Sequence, residues 1–203
     1  NYDYRFIGIW QITDPSNPNG QQDPNYRYSI PGYMKYHDKD GVNDITPADK
    51  EIIGSAIPKV TMGMTNTFRY KNFDLSFFLR GTIGNDILNA TRMAYAQSGF
   101  LPGTNALDDP LTYTLSETPR FSNYYLEKGS FMRLDNLTLG YKIKALNGIR
   151  VYFTAQNLFV ITKYKGLDPE VPMDSGDGLT PGVEPREFYP KARTFSVGLN
   201  LNF

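Results

Sequence analysis

The 203-residue sequence has no cysteine and one histidine, His37. Without thiols there is no disulfide framework and no thiolate metal site. A single imidazole excludes a His-rich zinc centre and leaves a Ser-His-Asp triad without support; His37 reads as a surface loop residue. Net charge is missing too, since 21 basic residues balance 21 acidic ones. Nucleic-acid binding needs a basic footprint, so nucleic acid is not an expected partner. No apolar run approaches the ~18 residues of a transmembrane helix. That absence leaves a β-barrel open, because only alternate residues of a barrel strand face lipid. A mean hydropathy of −0.45 suits a barrel and a soluble β-protein alike. No nucleophile–base pair or paired carboxylates stand out, so no enzyme is expected. The chain starts at Asn1 without an initiating methionine or signal peptide, and reads as a piece of something longer.

Aromatics are abundant instead, with 15 Tyr and 13 Phe. With many Asn, Gly and Pro residues, they favour strands joined by long loops. The plainest strand is the last. Phe195, Val197, Leu199, Leu201 and Phe203 share one parity; Ser196, Gly198, Asn200 and Asn202 share the other. Such alternation marks one apolar and one polar face. A soluble sandwich strand shows it too, but the run has about the ~10 residues a tilted strand needs to cross a bilayer. It also ends on Phe203, where an interfacial aromatic girdle would sit.

Similar alternation runs through residues 60–70, 73–80, 131–143 and 149–156, and a further strand is expected at Tyr2-Asp3-Tyr4-Arg5-Phe6. It predicts that Val60, Met62, Met64, Phe73, Leu75, Phe77, Leu79, Leu137, Leu139, Val151, Phe153, Val197, Leu199 and Leu201 face outward. Lys71-Asn72 makes a two-residue turn in which Asn takes positive φ, and Leu146-Asn147-Gly148 makes a second tight turn. Residues 11–34, 84–130 and 163–192 are long connections, and 90–97 has room for one or two helical turns. Tight turns at one rim and long loops at the other are the bacterial outer-membrane arrangement. Five or six strands fall short of the ~8 a barrel needs, so strands outside this chain must complete it. The final strand should pair with the one near 149–160 on one side and with the barrel's first strand on the other.

Six ordered runs carry a family resemblance: Lys71-Asn72-Phe73-Asp74-Leu75-Ser76, Gly81-Thr82-Ile83-Gly84-Asn85-Asp86, residues 129–141 (Gly129-Ser130-Phe131 to Leu139-Gly140-Tyr141), Gln156-Asn157-Leu158-Phe159, residues 162–171 (Thr162-Lys163-Tyr164-Lys165-Gly166-Leu167-Asp168-Pro169-Glu170-Val171), and Pro190-Lys191-Ala192-Arg193-Thr194-Phe195. Together they resemble the C-terminal end of SusC/RagA-type TonB-dependent outer-membrane transporters of Bacteroidetes. The resemblance implies an all-β fold, with residues 1–203 forming the last antiparallel strands of a 22-stranded transmembrane barrel with long extracellular loops. It implies TonB-energised uptake of oligosaccharides or oligopeptides, with a SusD-like surface lipoprotein as partner. The family's plug domain and TonB box match nothing in this chain.

Within it, residues 35–54 read as an acidic, calcium-loop-like extracellular insertion. From Asp38, carboxylates fall on positions 1, 3 and 12 of a calcium loop, as Asp38, Asp40 and Asp49. Asp44 would offer its carbonyl at position 7 and Thr46 its hydroxyl at 9, but Val42 and Asn43 stand at 5 and 6. Calcium and a solvated acidic turn both remain open, and no other cofactor is implied. Asp174-Ser175-Gly176-Asp177-Gly178 reads as a loop tip. Tyr113, Tyr124, Tyr125, Tyr164, Phe188 and Tyr189, with Phe100, can stack on substrate or pack among the loops. Arg133 and Asp135, placed by parity on the face of Leu137, are expected to form a rim ion pair. Two other readings stay open: a structural or adhesion barrel that transports nothing, and a soluble carbohydrate-binding β-domain.

Overall fold

The computed structural model describes residues 2–11, 14, 31–41, 45–96, 101–103, 105–109, 120–144, 149–170, 181–184 and 189–201. In chain order the elements are β1 (Tyr2–Asp3), β2 (Phe6–Ile9), β3 (Met34–Tyr36), β4 (Glu51–Ile52), β5 (Val60–Tyr70), β6 (Phe73–Ile83), β7 (Asp86–Leu88), α1 (Ala90–Tyr95), β8 (Leu126–Lys128), β9 (Phe131–Ile143), β10 (Ile149–Thr162) and β11 (Thr194–Asn200). They divide into two compact units. One comprises Asn1–Ala56, Asp86–Glu127 and Val171–Glu187; the other comprises Ile57–Asn85, Lys128–Glu170 and Phe188–Phe203.

The second unit is one antiparallel sheet ordered β11-β10-β9-β6-β5. Its register places the apolar parity of every strand on one face. Tyr70 pairs with Phe73, Phe68 with Leu75 and Met64 with Leu79. Leu75 continues to Leu139, then to Phe153 and Val197. None of the fourteen residues expected to face outward is buried; Val197 stays 75% exposed and Leu199 62%. An apolar face left this exposed needs an apolar solvent. At the β5–β6 turn, Tyr70, Phe73 and Tyr141 cluster, with Phe73 and Tyr141 ring centroids 4.6 Å apart, as an interfacial girdle requires. The turn itself puts Lys71, not Asn72, at positive φ (54°). Residues 145–148 and Phe203 lie outside the described residues.

The alternation slips at one place. Phe78 pairs with Asn136 but Leu79 pairs with Leu134, which leaves Asp135 as an extra residue in β9. Across from it, β10 sets two residues, Asn157 and Leu158, against that one, with Asn157 at φ 50°, a conformation Asn tolerates better than most residues. The bulge turns Arg133 to the polar face. The expected Arg133–Asp135 pair is therefore not made: Asp135 pairs with Arg80 at 3.1 Å and Arg133 with Asp168 at 2.5 Å.

In the other unit, β1 pairs with β4, β2 with β3 and β7 with β8. The strand expected at residues 2–6 is broken in two and belongs here, not to the large sheet. Met34, Tyr36, Ile45, Leu88 and Tyr125 form its core, with Tyr4, Phe6, Met93 and Tyr124 packed against them. Asn89 caps α1 by accepting from the Arg92 N–H at 2.8 Å.

Candidate functional site

The polar face of the sheet carries two charged layers separated by hydroxyls. Near the tight turn, Arg150 holds Asp74 through two hydrogen bonds, Nε to Oδ1 at 2.9 Å and Nη2 to Oδ2 at 2.5 Å. This fork crosses β9 at Gly140. A Cβ there would lie 2.5 Å from both Arg150 Nη2 and Asp74 Oδ1, so only glycine leaves room for it. Above it, the Thr138 and Thr154 hydroxyls meet at 3.3 Å.

The second layer ties the sheet to residues 163–170. Arg80 grips both oxygens of Glu170 and also reaches Asp135. Lys191 binds the same Glu170 carboxylate. Burial alone would raise the Glu170 pKa, but the hydrogen bonds from Arg80 and then Lys191 hold it down to about 2. Arg133 and Asp168, 3% and 4% exposed, make the buried member of the cluster. Asp168 also accepts the Glu170 N–H at 2.9 Å, which fixes the turn around Pro169. Sequence reasoning missed this clamp, although Asp168 and Glu170 stood in a quoted run. Their partners lie 35 and 90 residues away.

The aromatic candidates scatter. Tyr125 is fully buried and Tyr164 is 6% exposed, so neither ring has surface for a ligand. The Tyr164 ring fills the space above Gly166, where a Cβ would lie 2.3 Å from its oxygen. Tyr124 stacks edge-on against Tyr125 at 4.9 Å, lies 4.5 Å from the Arg92 guanidinium, and donates to Asp109 at 2.6 Å. Burial, then the bond to Asp109, push the Tyr124 hydroxyl pKa up to about 12. Tyr189 alone among the described candidates is highly exposed, at 85%. Tyr113, Phe188 and Phe100 lie outside the described residues, as does the Asp174–Gly178 tip.

In the acidic loop, Asp38, Asp40 and Asp49 bring one carboxylate oxygen each to within 4.8 Å of one another. Asp49 is fully buried. Its Oδ1 accepts the Lys39 N–H at 2.8 Å, and its Oδ2 accepts the Thr46 N–H at 2.7 Å and hydroxyl at 3.3 Å. Asp38 accepts the Gly41 N–H at 2.7 Å, with Gly41 at φ 75°. Ile45 enters the core beneath. Asp44 lies outside the described residues.

No family model matches the chain. TonB-dependent receptor P3 of Formosa agariphila is 34% identical over 226 residues, a match covering 100% of this chain and 22% of that protein. TonB-dependent receptor SusC of Bacteroides thetaiotaomicron is 38% identical over 182 residues, covering 82% of this chain and 17% of the relative. The solved RagAB peptide transporter superposes with a TM-score of 0.66 at 23% identity, over 98% of this chain and 22% of that one. The chain belongs to the SusC/RagA-type TonB-dependent receptors. It spans about a fifth of the length of the curated relatives it matches. As part of such a receptor, the sheet is a section of a β-barrel wall in the Gram-negative outer membrane. Its apolar face meets lipid, and its charged face lines the barrel interior.

Proposed function

We propose that the receptor containing this chain imports glycans or peptides across the outer membrane, energised by TonB and capped by a SusD-like lipoprotein, and is not an enzyme. The observation that carries this reading is the match of the whole chain to TonB-dependent receptors, supported by a sheet with one apolar and one charged face. The long connections are then extracellular, residues 35–54 among them. Tyr189, with its ring in solvent, is the aromatic proposed to touch substrate. Deleting the gene for the full-length receptor should abolish growth on one class of oligosaccharide or oligopeptide, and deleting TonB should do the same. Growth unchanged by loss of either would favour a structural or adhesion barrel.

A second reading concerns calcium at Asp38, Asp40 and Asp49, with Asp44 and Thr46 as further donors. The convergence of three carboxylates supports it. Calcium takes 6–8 oxygens, however, and both Asp49 oxygens already accept protein hydrogen bonds. An ion must therefore compete with the turn's own stitching. Calcium titration of the full-length protein should give a weaker isotherm for Asp38→Ala than for wild type; identical isotherms would leave residues 38–49 a self-bonded acidic turn.

A further inference from the structure

The lipid-facing side is not smooth. In the fifth apolar row from the β5–β6 turn, Met62 pairs with Gly81, Gly81 with Met132 and Met132 with Ile161. Gly81 places no side chain between the two methionines. A Cβ there would lie 2.3 Å from the Phe131 carbonyl oxygen, so β6 and β9 come too close for any other residue. Beside this gap runs a groove of about 540 Å³, lined by Met62, Ile83, Met132 and Ile161, by the Thr82, Phe131 and Thr162 positions between them and by Ser130, with Lys128 at the end of β8 and Lys163 just past β10. The four apolar side chains are 40–58% exposed, and both lysines are exposed. Flexible unbranched methionines line a groove that adapts to an occupant.

Position fixes what meets it. The groove lies at the rim where β6 and β10 run out into long connections and β9 returns from one. In bacterial barrels that rim faces the outer leaflet. An apolar floor with two ammonium groups at its outer edge matches a lipid whose acyl chain lies along the wall and whose phosphate sits at headgroup height. Lysines reach such a level by extending their stems along apolar surface.

We propose that this groove is a docking site for an anionic, phosphate-bearing lipid of the outer leaflet, with the acyl chain along Met62, Met132 and Ile161 and the phosphate between Lys128 and Lys163. The site is on the outside of the wall, so it is independent of what the receptor imports. Lipid A should be titrated into detergent-solubilised full-length receptor and the bound fraction read by native mass spectrometry. Each lysine near a headgroup contributes about 1 kcal/mol, so Lys128→Ala/Lys163→Ala should weaken binding by about 30-fold. Removing the phosphates from lipid A should weaken wild-type binding to a similar degree and leave the variant unchanged. Inorganic pyrophosphate, which has no acyl chain, should not compete. Heat-modifiable mobility in electrophoresis confirms that the variant barrel is folded. Equal lipid A affinity for variant and wild type, equal affinity for phosphorylated and phosphate-free lipid, or full competition by pyrophosphate would each overturn the proposal.

Discussion

Phe195→Arg is expected to destabilise the full-length receptor by about 2–4 kcal/mol, whereas Ser196→Arg, one residue on, stays within about 0.5 kcal/mol of wild type. The two positions are neighbours in β11 that occupy opposite faces. Phe195 pairs with Ala155, Ala155 with Leu137, Leu137 with Phe77 and Phe77 with Asn66. That row is the third of the six that run from Tyr70/Phe73 to Val60/Ile83, so it lies near the middle of the apolar band. A guanidinium there has no aqueous layer within easy reach, and the mutation also removes the stacked contact of Phe195 with Phe153, 6.0 Å between centroids. Ser196 pairs with Thr154 on the other face, the one that also carries the charged layers. Equilibrium unfolding in lipid vesicles measures both variants. Equal losses at the two positions would mean that the apolar face does not meet lipid.

The sheet was legible because its two signals are local. Parity assigns a face to each residue, and a two-residue turn such as Lys71-Asn72 fixes register without knowledge of the partner strand. Where parity had to be carried across an irregularity, it failed. The bulge at Asp135 depends on Asn157 and Leu158 of the facing strand, so Arg133 was placed on the wrong face and given the wrong partner. The spacing of Asp38, Asp40 and Asp49 did anticipate that they come together. It held no sign that Asp49 would spend its oxygens on the Lys39 and Thr46 amides, since those bonds depend on how the chain turns. The short strands at either end of the 84–130 connection were likewise hidden. Three residues each are too few for a period to show, and they exist because they pair with each other.

Breaking the Arg133–Asp168 pair is expected to cost about 3–5 kcal/mol, the largest effect of any single substitution proposed for this chain. Both side chains are almost wholly buried, so Arg133→Met leaves the Asp168 carboxylate without its cation and without water. The Glu170 carboxylate, 3.8 Å from the Arg133 Nε, adds a second negative charge close by. Arg80 and Lys191 are already committed to Glu170 and cannot supply the missing charge at the same time. The easiest relief is for residues 163–170 to leave the wall, which exposes the backbone after Lys163 and Lys165. Trypsin should therefore cleave the folded Arg133→Met receptor at these lysines much faster than wild type. If the loss comes from an orphaned charge and not from missing volume, Arg133→Met/Asp168→Leu should recover most of the protection, because an apolar pair of similar size replaces a buried ion pair at little cost. A double variant cleaved as fast as the single one would show that the loss comes from missing packing and hydrogen bonds and not from an orphaned charge; an Arg133→Met receptor as resistant as wild type would show that the Arg80–Glu170–Lys191 bonds hold the loop alone.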